Sequence, residues 1–190
     1  RKFGKEIEEA TYKNLESGIL DFIDQTNFER FVMIIKSTGY IDKSLINSQN
    51  SLNFAYVLYL YLKDQEESYE NIEKYVKRWF VMSVLTGRYS GSSESWFDYD
   101  IKQIHKQGIE SYLKSIEDSD LSDTFWDIGL PSDLVKSSVS NPLLNAFFAA
   151  QCYLGDKGFL SKDISVKDMI IHRGDIHHIF PKEYLRSKYP

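Results

Sequence analysis

Apolar residues recur every three or four positions along much of the chain, which is the spacing of one face of an α-helix. The spacing predicts a helix that begins near Leu15, a buried helix over Leu52–Leu62, a helix that Gly87 ends, and another helical face after the turn-rich segment Gly87–Ser93. The first face comprises Leu15, Ile19, Phe22 and Ile23; the third comprises Ile72, Tyr75, Val76, Trp79, Phe80 and Val84; the last comprises Phe97, Ile101, Ile104, His105, Ile109, Tyr112, Leu113 and Ile116.

Asn141-Pro142 predicts where a later helix begins, since asparagine caps helix N-termini and proline fits the first helical position. Gly155 predicts its end, because glycine readily adopts the left-handed conformation that terminates helices. The sequence GDKGF that follows is typical of a turn. We therefore expect a mainly α fold, a bundle of about six or seven helices over residues 1–155, with a short extended or hairpin segment over 156–190.

Composition narrows the possible functions. Hydrophobic residues make up 42% of the 190 residues, which is enough for a globular core. The net charge of −5 argues against a basic surface over the whole protein, so any contact with nucleic acid must involve a local patch. The longest strongly apolar stretch, Phe54–Leu62, is too short to cross a bilayer. A single cysteine, Cys152, and a charged start without a signal peptide favour a cytoplasmic protein.

The residues best suited to metal binding or catalysis come near the end of the sequence. Asp175, His177 and His178 place three metal-binding or proton-transferring groups within four residues. Neutral imidazole binds divalent metals, and its pKa also suits a general base near neutral pH. Phosphodiester hydrolysis needs both, a metal to stabilise charge on the phosphate and a base to deprotonate water. In a regular strand the two histidines would point to opposite faces, and Pro181 makes a break in the strand plausible.

The segment GDIHHIFPK resembles the opening of the HNH nuclease motif, a strand, turn and helix around one metal. Together with RWFVMSVLTGRYSGSSESWFDYDI and SNPLLNAFFAAQCYLGDKGF, it resembles the central to C-terminal region of GmrSD-type restriction endonucleases. These proteins join an N-terminal ParB-like domain, thought to hydrolyse nucleotides, to an HNH domain that cuts modified phage DNA. The likeness covers about Asn50 to the end and is most specific over residues 79–101 and 141–182.

The resemblance implies a role for each histidine. His177 is the expected metal ligand and His178 the expected general base. Apart from the resemblance, the position of Asp175 beside the pair suggests that its carboxylate orients one of the two histidines. A divalent metal (Mg, Mn or Zn) and DNA are the implied cofactor and partner, in the cytoplasm of a bacterium or archaeon. If Pro181 starts a helix, Lys182 and Arg186 lie near one another and are expected to contact the DNA backbone, the alternative being an ordinary solvated helix face.

The resemblance is incomplete. An HNH site also needs an asparagine and a further histidine or asparagine on the following helix, and neither the rest of this motif nor the ParB-like domain is in these 190 residues. With no initiator methionine, the chain is expected to be a piece of a larger protein, with 156–190 as the start of an HNH domain. Alone it should bind no metal and cut nothing.

Several readings compete with these predictions. The two histidines would be surface residues beside a turn if the resemblance misleads, and the chain would then be a helical interaction or scaffold domain. Residues 88–94, RYSGSSE, suit either a small anion site or a turn between helices with Ser92 or Ser93 as N-cap.

Three further side chains are expected to be structural. We expect His105 to be a hydrogen-bonded core residue, His172 to be exposed and Cys152 to be a buried, inert thiol. We expect most aromatic residues to belong to the core; the alternative is that some, such as Trp79 or Trp96, belong to an interface with other domains, which would favour self-association.

Overall fold

The computed structural model of the chain describes residues 2–135, 140–159, 161–172 and 186–188, which form a helical bundle. These ranges contain nine named α-helices and no β-strand, so the predicted mainly α fold is confirmed, with more helices than the six or seven expected. The helices are α1 (Lys2–Ile23), α2 (Gln25–Lys36), α3 (Gln49–Asp64), α4 (Tyr69–Leu85), α5 (Ser93–Gln107), α6 (Ile109–Asp120), α7 (Leu130–Leu134), α8 (Pro142–Leu154) and α9 (Val166–Ile171).

Helices α3 and α4 form the centre of the bundle. Phe54 of α3 stacks on Trp79 of α4, with ring centroids 5.2 Å apart, and both side chains are fully buried. The prediction of a buried helix over Leu52–Leu62 is therefore confirmed. Helix α4 also ends close to the predicted stop, at Leu85, and Gly87 adopts a positive φ of 62°.

The predicted bounds of the helix over 142–154 are confirmed as well. The Asn141 side chain accepts a hydrogen bond from the Leu143 amide, and Pro142 occupies the first position of α8. Gly155 ends the helix in the left-handed conformation, with φ 73° and ψ 29°. Local sequence chemistry thus sets both ends of α8.

Gly108 divides the long apolar face predicted over Phe97–Ile116 into two helices. It has φ 83° and ψ 149°, and it ends α5 and precedes α6 as a single connecting residue. Apolar spacing continues across the break, so periodicity alone did not reveal it. The two helices form an antiparallel hairpin, which brings the first turns of α5 beside the last turns of α6.

Helix α1 is anchored near its C-terminal end and exposes an apolar face. The Tyr56 hydroxyl of α3 donates to the Phe22 carbonyl at 2.9 Å, and Lys63 forms an ion pair with Asp21 at 3.3 Å. The four apolar residues predicted to share one face of this helix are each more than half exposed: Leu15, Ile19, Phe22 and Ile23. The helix was predicted from its spacing, but its apolar face is not part of the core.

The segment after α8 contains a helix that the sequence analysis assigned to an extended tail. An antiparallel bridge joins Lys157 to Ser165, and α9 begins directly afterwards. Ser165 and Asp168 form a reciprocal capping box, in which each side chain accepts from the other residue's backbone amide. Ile170 packs against the core, so this short helix is attached to the bundle. Across the part of the chain that the structure describes, no helix is long and apolar enough to span a membrane.

Candidate functional site

The residues predicted to carry nuclease chemistry lie mostly outside the described part of the chain. Asp175, His177, His178 and Lys182 belong to the segment 173–185, which is not described. Arg186 lies in an exposed helical turn over residues 186–188. Among the described residues, no group of three or more His, Cys, Asp or Glu side chains could hold a metal ion. The roles assigned to these residues therefore remain predictions.

The prediction for His105 is wrong in one respect. Its neighbour Ile104 is buried, but His105 is exposed, because consecutive helical residues point about 100° apart. Its Nδ1 lies 3.4 Å from the Tyr61 hydroxyl, so the histidine is a surface residue near a hydrogen-bonding partner.

The prediction for His172 is confirmed, and the prediction for Cys152 is confirmed in part. His172 is exposed, as predicted, and its Nδ1 lies 2.9 Å from the Asp168 carbonyl at the end of α9. Cys152 is half-buried, and burial raises the pKa of its thiol. A raised pKa lowers the thiolate fraction, which agrees with an unreactive cysteine, although this side chain is less buried than expected.

The structure does bring together a buried charged cluster that the sequence analysis did not assign. Asp100 in α5 is 0% exposed and Arg88, in the turn after α4, is 8% exposed at the side chain. Arg88 binds the carboxylate with two nitrogens, Nε at 2.9 Å and Nη2 at 2.5 Å. Planar guanidinium and carboxylate groups match in this two-point geometry. A charge pair this buried is stable only when its remaining hydrogen-bonding capacity is also satisfied.

Two tyrosines complete the hydrogen bonding of Asp100. The hydroxyls of Tyr89 and Tyr112 each donate to the carboxylate at 2.7 Å, one to each oxygen. The Trp79 indole N–H in turn donates to the Tyr89 hydroxyl at 3.1 Å. The carboxylate thus accepts four hydrogen bonds in the described structure, from three side chains. We call Arg88, Asp100, Tyr89, Tyr112 and Trp79 the buried network.

Burial and the Asp100 charge act together on the tyrosines. Burial raises the pKa of Tyr89, and the negative charge of Asp100 raises it further. The pKa of Tyr112 is raised in the same way, by burial and by its hydrogen bond to Asp100. Burial alone would lower the pKa of Arg88, but Asp100 outweighs it and raises that pKa. The hydroxyls therefore stay protonated as donors and the guanidinium stays charged at any physiological pH.

A cleft opens beside the buried network, between the first turns of α5 and the last turns of α6. Its volume is about 520 Å³, which is in the usual range for small-molecule sites. Arg88 and Tyr112 belong both to its lining and to the buried network. The Arg88 guanidinium also lies 4.8 Å from the centroid of the Trp96 ring, which is 41% exposed. The full lining consists of Arg88, Ser92, Ser95, Trp96, Tyr99, Tyr112, Ser115, Ile116, Ser119 and Asp120.

The N-terminus of α5 at this cleft has no side-chain cap. Ser92 occupies the N-cap position, as one of the sequence-based readings expected, but its side chain forms no capping hydrogen bond. Side chains do cap α2, α3, α4, α8 and α9, each by accepting a hydrogen bond from an amide in the first turn. Ser92 therefore occupies the N-cap position of α5 without capping the helix through its side chain.

The sequence contains one signal for the buried network. Asp100 falls three residues after Phe97 on the apolar side of α5, where a carboxylate needs a buried partner. Arg88 and Tyr89 lie in the turn-rich segment before α5, where their sequence neighbours give no sign of a buried carboxylate partner. The pairing joins residues 12 positions apart on different elements, so helical periodicity cannot identify it.

No protein-family model, no curated protein and no solved structure matches this chain. The resemblance to GmrSD-type endonucleases therefore rests on the sequence segments themselves. The buried network lies largely within one of those segments, residues 78–101, and Tyr112 is the one member outside it.

Proposed function

We propose that this chain is part of a metal-dependent DNA endonuclease of the HNH type, and that its helical body supports a nuclease site which begins at Asp175. The observation that carries the proposal is the sequence GDIHHIFPK, which puts a carboxylate and two adjacent histidines before a proline. In this proposal His177 binds a divalent metal, Mg, Mn or Zn, and His178 deprotonates the attacking water.

The organisation of the helical body supports this proposal. The segment 79–101, one of the two specific parts of the resemblance, contributes Arg88, Tyr89 and Asp100 to the buried network. Helix α9 follows α8 closely and packs on it, and it ends at Ile171, six positions before His177 in the sequence. A packed helix shortly before the proposed catalytic segment suits a site that must hold its ligands in fixed geometry.

The remaining ligands would come from other parts of the intact protein, and so would a ParB-like domain that hydrolyses nucleotides. Lys182 and Arg186 would contact the DNA backbone in that protein. The 190-residue chain alone would bind metal weakly and would not cut DNA. The cellular role that fits is restriction of modified phage DNA in a bacterial or archaeal cytoplasm.

Plasmid nicking by a protein extended past Pro190 tests the proposal. We expect cleavage with Mg²⁺ or Mn²⁺, and we expect His178→Ala to abolish it, because the general base is lost. His172→Ala is the matched control, since His172 lies six residues earlier, is exposed and ends α9. The control should nick at the rate of the unmodified protein.

Two results would contradict the proposal. One is a well-folded extended protein that cuts no plasmid with any of the three metals. The other is cleavage that persists unchanged in His178→Ala, which would place the chemistry elsewhere.

The exposed face of α1 favours a second candidate function, a helical interaction domain without nuclease activity. Leu15, Ile19 and Ile23 are exposed on a helix that touches the bundle mainly at its C-terminal end. An exposed apolar stripe of this kind is typical of a protein-binding or self-association surface. Concentration-dependent association that Leu15→Glu and Ile19→Glu together remove, in a protein that never cuts DNA, would favour this candidate.

A further inference from the structure

Helix α8 is apolar on every side, but the bundle covers only one of them. None of its 13 residues is charged, and only Asn145 and Ala149 among them are buried. On the opposite side of the helix, Phe147 is 46% exposed, Leu154 is 71% exposed, and Ala150 between them is exposed as well. A helix that is hydrophobic all round normally has protein on all sides. The outer side of α8 therefore has the composition of a buried surface.

The turn after α8 extends this apolar surface. The Gly158 amide donates to the Ile164 carbonyl at 2.9 Å, and a Cβ on Gly158 would come within 2.8 Å of the Met169 sulfur. Ile164 and Met169 therefore both lie beside Gly158, and the next residue, Phe159, is 88% exposed. Helix α9 packs on α8, so the turn between them borders the outer side of α8. We call the following exposed residues the α8 surface: Phe147, Ala150, Tyr153, Leu154, Phe159, Ile164 and Met169.

The area of the α8 surface suits a protein–protein interface. Large side chains carry on the order of 150–250 Å² each, so the exposed fractions of the α8 surface, 37% to 88% apart from Ala150, leave roughly 700 Å² open. A standard interface buries about 800 Å² on each partner. Single exposed apolar residues are normal, but a patch of this size is typical of an interaction site.

Charge favours a second copy of the chain as the partner. Residues 142–171 contain three lysines and three aspartates, a net charge of zero, whereas the whole chain carries −5. Two copies therefore repel one another through the rest of their surfaces and can meet here without net repulsion. Since α8 itself offers no charge to a charged partner, the matching surface must also be uncharged, as α8 is.

The order of residues along α8 also suits pairing with its own copy. Ala150 is small, and it lies three residues after Phe147 and four before Leu154. When two such helices run antiparallel about a two-fold axis at Ala150, Phe147 of one copy faces Leu154 of the other. The two alanines then allow the helices to approach closely.

We propose that α8 packs antiparallel on α8 of a second copy of this chain, with the turn after α8 at the edge of the contact. The contact uses neither the histidine pair at 177–178 nor any residue of α1. The dimer and the two functions considered above can therefore fail separately.

Sedimentation equilibrium of the 190-residue chain measures this association. We expect a dimer that forms at micromolar concentrations, and we expect Ala150→Glu to weaken it by about a hundredfold or more, because two like charges then meet at the axis. Ala150 is exposed in the single chain and glutamate favours helices, so circular dichroism should show a retained fold. Ala10→Glu is the matched control, because it adds the same charge at an exposed position of α1 and should leave the dimer unchanged.

A mixture of two variants tests the two-fold symmetry. Ala150→Lys should also prevent association on its own, again because like charges meet. An equimolar mixture of Ala150→Lys with Ala150→Glu should form a dimer, since opposite charges then face each other across the axis. A contact between α8 and a different surface of the second copy would give no such rescue.

The proposal is overturned if the chain stays monomeric up to submillimolar concentrations, or if the mixture of the two Ala150 variants does not associate. Equal effects of Ala150→Glu and Ala10→Glu would overturn it too, because general charge would then explain the loss. Association that Leu15→Glu and Ile19→Glu together remove, and that Ala150→Glu leaves intact, would assign the dimer to α1 instead.

Discussion

The buried ion pair between Arg88 and Asp100 makes a quantitative prediction for Asp100→Asn. The substitution preserves shape but leaves the Arg88 charge buried without a counter-charge, and its amide nitrogen replaces an acceptor with a donor. One of the tyrosine hydroxyls then faces that donor. Removing one partner of a buried pair costs about 3–5 kcal/mol. Since a domain is stable by about 5–15 kcal/mol, Asp100→Asn should consume a large part of the free energy of unfolding.

A second arginine–carboxylate pair in the same bundle provides the control. Arg78 of α4 binds Glu117 of α6 with two nitrogens, but these side chains are 35% and 26% exposed. Water can replace the lost acceptor there, so Glu117→Gln should cost about 1 kcal/mol or less. The two variants make the same chemical change in the same kind of pair, and burial is the main difference between them.

Urea unfolding followed by circular dichroism measures both values. We expect the midpoint for Asp100→Asn to fall well below that for Glu117→Gln, while the dependence of the unfolding free energy on urea stays unchanged. The reasoning would be refuted by equal destabilisation in the two variants, or by a loss of less than about 1 kcal/mol for Asp100→Asn.

Two further predictions concern the backbone and the tyrosines. Gly39→Ala should destabilise the protein by about 1–3 kcal/mol more than Gly108→Ala. Both glycines have positive φ, but only at Gly39 would a Cβ clash, at 1.9 Å from the Ala149 carbonyl oxygen. Equal urea midpoints for the two variants would contradict this prediction. Folding favours the neutral forms of Tyr89 and Tyr112, because their pKa values are raised in the folded protein. The stability that these neutral forms contribute is fully present below the ordinary tyrosine pKa of 10.0, and it is lost as pH rises above that value. In an alkaline titration followed by phenolate absorbance, some tyrosines should therefore ionise only when the helical circular dichroism signal is lost. Ionisation of every tyrosine while the protein is still folded would contradict this prediction.

The helices of the bundle were largely predictable because local chemistry determines them. The three- and four-residue spacing in α4 and the Asn141-Pro142 start of α8 each predict an element that the structure contains. The break at Gly108 was not predictable from spacing, because apolar positions continue in phase on both sides of it. Helix α9 was missed since its capping box follows a turn in a segment that reads as extended.

The candidate site was much less predictable than the fold. The sequence directed attention to the histidine pair at 177–178, and the structure contributes instead a network in which Arg88 and Asp100 meet from separate elements. Only tertiary packing tells whether a charged residue on an apolar face is buried with a partner or turned to water. His105 and Asp100 illustrate this, since His105 belongs to the predicted apolar face of α5 and is exposed, whereas Asp100, which that face did not include, is buried.

The single-residue connection at Gly108 has an electrostatic consequence for the cleft. Because α5 and α6 run antiparallel, the positive end of one helix dipole and the negative end of the other lie on opposite walls. Asp118 and Asp120 strengthen the negative wall, since they lie in the last turn of α6, which contains no basic residue. The cleft therefore has a field across its width, and a molecule with one anionic end and one hydrogen-donating end would enter it in one orientation.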